Sequence, residues 1–147
     1  MITITRTHEI CAGHRVYGHE GKCKNLHGHN YTFEITARAD ELDPLGRVVD
    51  FSVLKRILCE WLEANWDHKM LLWDQDPMVQ SLTNIKVFGD ADYIVALPQN
   101  PTAENIAWMF HDRANALLAR DPETCGKIIV TKVRVWETAK CCAEYAS

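Results

Sequence analysis

Tyr31-Thr32-Phe33-Glu34-Ile35-Thr36-Ala37-Arg38-Ala39 alternates apolar and polar side chains with a period of two, the pattern of a strand with one face on a core and the other toward water. Upstream, Ile2 to Cys11 alternates well enough for a second strand, and the two together suggest an antiparallel pair. Downstream, Asp43-Pro44-Leu45-Gly46 reads as a turn. Asp50 or Ser52 can then cap a helix whose apolar positions Val53, Leu54, Ile57, Leu58, Trp61 and Leu62 recur at helical spacing, and which should run to about Asn65. A second helix starts after Pro101-Thr102, with Thr102 as its cap. It continues through Ile106, Met109, Phe110, Ala114 and Leu117 to the stop signal Asp121-Pro122. Lys127 to Trp136, rich in β-branched residues, is a last strand. Between the helices, Leu72 to Asn100 is long and irregularly patterned, with a candidate short strand at Tyr93 to Leu97. The order β-β-α-α-β indicates the α+β class rather than an alternating parallel fold.

The chain has 147 residues, 47% of them hydrophobic, enough for one domain spanning 1–147 with its own core. A net charge of -4 offers no basic field to attract nucleic acid or an anionic membrane. No run approaches the roughly 18 apolar residues of a spanning helix. Met1-Ile2-Thr3-Ile4-Thr5-Arg6 reads as a strand rather than a signal peptide, so the expected location is the cytoplasm. Without a secretory signal, the six cysteines are expected as free thiols. Cys59 falls in a helical pattern as a small core residue, whereas Cys141 and Cys142 lie in a polar C-terminal tail. The tryptophans at 61, 66 and 108 fit apolar helix faces and read as core.

The densest chemistry lies between His14 and His29. In an extended strand His27 and His29, two apart around Gly28, point to the same side, close enough to share one ion. His14 can supply a third imidazole, which leaves one position of a tetrahedral zinc open for water or substrate. Cys23, four residues before His27, has two readings. As a fourth ligand it closes a structural site; as a free thiol beside a cation it becomes a usable base. His19, in the loop Gly18-His19-Glu20-Gly21, is a spare ligand more simply read as solvated. In Asp67-His68 a carboxylate could orient an imidazole for proton relay, the simpler reading being a helix-end ion pair. Glu137 could hold an N–H pair of a flat heterocycle by two hydrogen bonds, or stand exposed at a strand end. Thr102 and Glu104 suit helix capping first and ligand contact second. Lys24 and Arg15 are available for phosphate.

His14 with Cys23-Lys24-Asn25-Leu26-His27-Gly28-His29-Asn30-Tyr31, then Asp67-His68-Lys69, then Asn100-Pro101-Thr102-Ala103-Glu104-Asn105, then Trp136-Glu137-Thr138, resembles the 6-pyruvoyl-tetrahydropterin synthase superfamily. The resemblance implies a tunnelling fold: an antiparallel four-stranded sheet with two helices on one face, whose subunits join sheets into a barrel. It implies homo-oligomers, trimers often stacked as hexamers, with active sites between subunits. It assigns zinc to His14, His27 and His29, proton abstraction to Cys23, a relay to Asp67 and His68 reaching in from a neighbouring subunit, and pterin anchoring to Glu137, with Thr102 at the substrate. The substrate implied is 7,8-dihydroneopterin triphosphate, with no redox cofactor.

Two branches differ in product. One makes 6-carboxy-tetrahydropterin, a precursor of deazapurine nucleosides such as queuosine, with release of acetaldehyde; the other keeps the side chain as 6-pyruvoyl-tetrahydropterin. Three residues between Cys23 and His27 resemble the bacterial carboxy-forming group. A third group, with glutamate in place of this cysteine, is disfavoured by Cys23 itself. The departure from compact members is the longer middle segment at 72–100. The contrasting expectation is a non-enzymatic module whose structural zinc is closed by the cysteine and all three histidines.

Overall fold

The computed structural model describes residues 1–85 and 91–147. Strand β1 runs Thr3–His14 and β2 His27–Ala39; they pair antiparallel along their whole length, from Thr3 opposite Arg38 to His14 opposite His27. Both strands extend further toward the histidines than alternation alone suggests. Helix α1 is continuous through Phe51–Leu54, a π-helical turn at Lys55–Cys59, and Glu60–Asn65. Of its two candidate caps, Asp50 is the one used, its carboxylate accepting from the Ser52 N–H at 2.8 Å. Strand β3 (Met70–Trp73), helix α2 (Pro77–Thr83) and strand β4 (Ile94–Leu97) follow. Helix α3 (Ala103–Arg120) is capped by Thr102, and strands β5 (Ile128–Thr138) and β6 (Cys141–Ala146) complete the chain.

The α+β class stands, but the expected four-stranded antiparallel sheet is corrected. The sheet has six strands in the order β4-β3-β1-β2-β5-β6, and β3 pairs parallel with both β1 and β4. In the middle segment at 72–100, β4 falls on the candidate short strand at Tyr93 to Leu97; β3, at the segment's start and only four residues long, is too short to display a period and was not expected, nor was helix α2. Residues 86–90 of that segment lie outside the described residues. The other unexpected strand is β6, which occupies the stretch expected to be a polar tail. As an edge strand exposed along most of its length, it has no apolar face to announce it.

One face of the sheet carries Ile10, Ala12, Tyr31, Phe33, Ile35, Val133 and Val135, all buried beneath α1 and α3. Leu54, Leu58 and Leu62 of α1 and Ile106, Phe110, Ala114 and Leu118 of α3 close over it, with the Phe110 ring edge-on to Phe33 at 5.2 Å. On β5 the buried positions change parity, from Ile128 and Val130 to Val133 and Val135. A register shift at Thr36/Ala37 makes Thr131 the extra residue, and this bulge keeps both apolar pairs on the core side. Trp66 is core; Trp61 and Trp108 are half-buried and line a surface cleft instead.

The opposite face is polar. Arg134 bridges Glu34 and Glu144, Trp136 donates its indole N–H to Glu34 at 2.9 Å, and the Thr5 and Thr36 hydroxyls meet at 3.0 Å. No helix among the described residues is long and apolar enough to cross a membrane.

Candidate metal centre and adjoining cavity

The hairpin register assembles the three histidines. His14 stands directly opposite His27, and Ala12 opposite His29; because side chains alternate, all three imidazoles emerge on the helix-covered face, at the end of the buried stripe. Between the histidines, Gly28 packs so closely on β1 that a Cβ there would lie 3.0 Å from the Ala12 carbonyl oxygen. The His14 and His27 Nε2 atoms are 3.0 Å apart, and the ligand atoms of His14, His27 and His29 all lie within 4.8 Å of one another.

Backbone carbonyls set the tautomers. His14 Nδ1 donates to the Pro101 carbonyl at 2.7 Å and His27 Nδ1 to the Asn25 carbonyl at 2.8 Å, so both Nε2 lone pairs turn inward. Burial, foremost, pushes the His14 pKa down to about 4; the Pro101 hydrogen bond opposes the shift and the charges of His27 and His29 add to it. His29 is also lowered, by burial first. Three converging imidazoles, with the Nδ1 protons of His14 and His27 committed to carbonyls, are a donor set that suits a divalent zinc with one position left open.

Beside the triad, His14, His19, Cys23, Thr102, Glu104 and Glu137 border a cavity of about 310 Å³ that Cys141 and Cys142 also touch. Cys23 sits half-buried in a single 3-10 turn, Lys22–Lys24, and is not a member of the imidazole cluster. Glu137 is the extra residue of a second register irregularity, between Trp136 opposite Cys142 and Thr138 opposite Cys141. The bulge brings its Oε1 to 3.9 Å from His14 Nε2. Thr102 accepts from Asn105 N–H at 3.3 Å as the α3 cap while lining the cavity. His19 keeps its Nδ1 for the Gly21 N–H at 2.8 Å and stays outside the cluster.

Asp67 and His68 form a pair, His68 Nδ1 to Asp67 Oδ2 at 2.7 Å. The Asp67 carboxyl lies below its ordinary range: burial would raise it, but the Cys11 N–H and His68 outweigh burial. His68 adopts φ 56° and its side chain is 79% exposed. It borders a hollow that Cys11, His27, His29, Asn30 and Met70 also line, not the cavity of Cys23, so within one chain the pair and the thiol are not brought together.

Arg15 is not free for phosphate. Its Nε donates to Asp76 Oδ2 at 2.6 Å, and its Nη2 also contacts the Asp76 carboxylate, which is itself buried and caps α2 through the Met78 N–H. Lys24 remains exposed. Sequence reasoning missed the Pro101 carbonyl as the His14 acceptor. It also gave no role to Asn100, whose side chain exchanges two hydrogen bonds with the Tyr17 backbone, at 3.0 and 2.8 Å. The motif Asn100-Pro101-Thr102 was visible; its backbone contacts 87 positions away from His14 were not.

The sequence model of the 6-pyruvoyl tetrahydropterin synthase family matches residues 3–147. The 6-carboxy-5,6,7,8-tetrahydropterin synthase of Rickettsia typhi is 36% identical over 148 aligned positions, covering 98% of this chain and 99% of that one. An uncharacterized protein of Wolinella succinogenes has a similar fold, with a TM-score of 0.81 at 22% identity over 99% of this chain and 98% of that chain. The 6-pyruvoyl tetrahydropterin synthase of Caenorhabditis elegans superposes with a TM-score of 0.67 at 24% identity, over 99% and 95%.

Proposed function

Because the chain belongs to the 6-pyruvoyl tetrahydropterin synthase family, we propose that it is a zinc-dependent lyase. It converts 7,8-dihydroneopterin triphosphate and water to 6-carboxy-5,6,7,8-tetrahydropterin, acetaldehyde and triphosphate. The observation that carries this reading is the set of three converging imidazoles with a thiol, Cys23, that stands outside their cluster and borders one cavity with His14. A structural zinc closed by all four groups would need the thiol among the ligands.

His14, His27 and His29 hold the zinc. When bound, the zinc withdraws charge from the side-chain hydroxyls of the substrate and acidifies the C–H beside them. The Cys23 thiolate removes that proton. Glu137 accepts two N–H donors of the pterin ring, and the Thr102 hydroxyl lies within the same pocket. Asp67 holds His68 Nδ1, leaving His68 Nε2 to move protons as triphosphate departs. Because His68 does not line the cavity that holds Cys23 of its own chain, we infer that it serves a neighbouring subunit's site.

A closed homo-oligomer, with each protomer's residues 1–147 forming one domain, supplies that geometry. Two features support it. The outer edge of β1 pairs with β3 only at Gly13 and His14, and such an open edge is a template for joining sheets. The polar sheet face bearing Arg134, Glu34 and Trp136 is half-buried without a covering helix.

The test is mass-spectrometric product analysis of zinc-loaded protein with 7,8-dihydroneopterin triphosphate. 6-Carboxy-tetrahydropterin with acetaldehyde is the expected outcome. A product that keeps three side-chain carbons would move the chain to the pyruvoyl-forming branch, and unconsumed substrate would remove the lyase reading.

A further inference from the structure

Asn100 stands immediately before the residue whose carbonyl holds His14, and none of the roles above uses its side chain. The amide makes a two-way contact with one backbone unit: Oδ1 accepts from the Tyr17 N–H at 3.0 Å and Nδ2 donates to the Tyr17 carbonyl at 2.8 Å. Tyr17 lies three residues past His14, so the contact joins the segment leaving His14 to the segment that fixes its imidazole, across 83 positions. An amide offers a donor and an acceptor on one planar head, which neither aspartate nor alanine does.

Both segments are tied onward to groups the chemistry needs. On one side, Pro101 offers its carbonyl to His14 Nδ1 at 2.7 Å. The Asn100 carbonyl is held in turn by the Thr102 N–H at 2.8 Å and by Asn105 Nδ2 of α3 at 2.9 Å. On the other side, the Val16 N–H donates to the Cys23 carbonyl at 2.8 Å, which fastens the turn bearing the thiol to the same stretch. The bonds close a ring: His14 to Pro101, along the chain to Asn100, across to Tyr17, and back through Val16 to His14, with Cys23 attached at Val16. The Arg15–Asp76 pair anchors Arg15 but not the Tyr17 peptide. Opening the ring at the Asn100 side chain lets the thiol shift relative to the imidazoles and loosens the carbonyl that orients His14.

We propose that Asn100 is a positioning residue, whose amide locks the thiol-bearing loop to the segment that orients His14, so that Cys23 and the imidazoles keep one fixed arrangement. The inference rests on the zinc and lyase reading above, and adds a residue that acts through Pro101 and Tyr17 rather than on the reacting atoms.

Asn115 provides a matched control. Its amide exchanges the same two hydrogen bonds with the Val130 backbone, at 2.9 and 3.0 Å, where β5 pairs with Ala37 at the far end of β2 from His27 and His29. Zinc affinity of the full chain by chelator competition, and kcat and KM at saturating zinc with 7,8-dihydroneopterin triphosphate, are compared for wild type, Asn100→Ala and Asn115→Ala. Asn100→Ala should bind zinc about 10-fold more weakly, the scale of losing an outer partner of a ligand. Its kcat should fall about 10-fold with KM little changed, as misplacement of a reacting group predicts. Asn115→Ala should lower thermal stability yet keep wild-type zinc affinity and kcat. Wild-type zinc affinity in Asn100→Ala, an unchanged kcat at saturating zinc, or an equal loss in Asn115→Ala overturns the assignment. If Asn100→Ala does not fold, Asn100→Asp, which keeps the volume and the acceptor but loses the donor, is measured by the same readouts with the same expected direction. If the wild type binds zinc without turnover, the lyase reading falls alone and zinc affinity decides the Asn100 role; a wild type that binds no zinc overturns both.

Discussion

His14 and His27 face each other across the β1–β2 ladder with their Nε2 atoms 3.0 Å apart. With both Nδ1 protons given to backbone carbonyls, the two lone pairs are directed at one another, an arrangement that a shared cation relieves. Wild-type protein should therefore carry about one zinc per chain, and His27→Ala much less. Metal analysis after dialysis checks this; near-stoichiometric zinc in His27→Ala would place the ion elsewhere.

Cys23 stands outside the imidazole cluster, so its loss should separate chemistry from metal binding. Cys23→Ala should retain zinc while turnover falls roughly 10²-fold or more, the scale of removing a general base. A variant that loses its metal would make the thiol a ligand and end the proposed mechanism.

The depressed pKa of His14, about 4 against an ordinary 6.5, gives the metal-free protein a definite pH dependence. Between those values the unfolded chain binds a proton that the folded chain refuses, so stability is fully present above 6.5 and is lost as pH falls toward 4. The loss from this group between pH 7 and pH 5 should be about 2 kcal/mol. Urea unfolding of metal-free wild type and His14→Gln compares the two slopes; identical slopes would show that His14 is not the source.

Arg15 and Asp76 form an ion pair 61 positions apart in sequence, the carboxylate buried and the guanidinium partly exposed. Burial alone would raise the Asp76 carboxyl, yet hydrogen bonds from Arg15 and the Met78 N–H hold it below its ordinary range. Asp76→Ala leaves the partly exposed Arg15 without its partner and removes the α2 cap, and should cost about 1–3 kcal/mol in denaturant unfolding. A loss under about 1 kcal/mol would mean the guanidinium finds water instead.

His68 is 79% exposed and does not line the cavity of its own chain's Cys23. Mixing inactive Cys23→Ala with inactive His68→Ala should restore part of the activity, because some mixed interfaces recover one intact site. Failure to complement, with subunit exchange confirmed, would assign His68 no role across an interface.

The two long helices were legible because each depends on local chemistry: Asp50 and Thr102 cap as their residue types predict, and the apolar positions of α1 and α3 recur at the helical period; the seven-residue α2 was not read. The candidate ligands were legible for a related reason, since period-two alternation puts His27 and His29 on one side of a strand. The short strand β4 showed only as a candidate at Tyr93 to Leu97, β3 did not show because four residues cannot display a period, and β6 did not because an exposed edge needs none.

What the sequence determined by itself was therefore the local conformation of the long elements and the set of groups able to bind a metal. The tertiary structure decided their relations. The hairpin register chose His27 as the residue opposite His14, a bulge turned Glu137 toward the imidazoles, and Asp76 took Arg15 out of the phosphate-binding candidates. Register, bulges and ion pairs of this kind arise from contacts between segments tens of residues apart. No local pattern encodes them, because the partner's position exists only once the chain has folded.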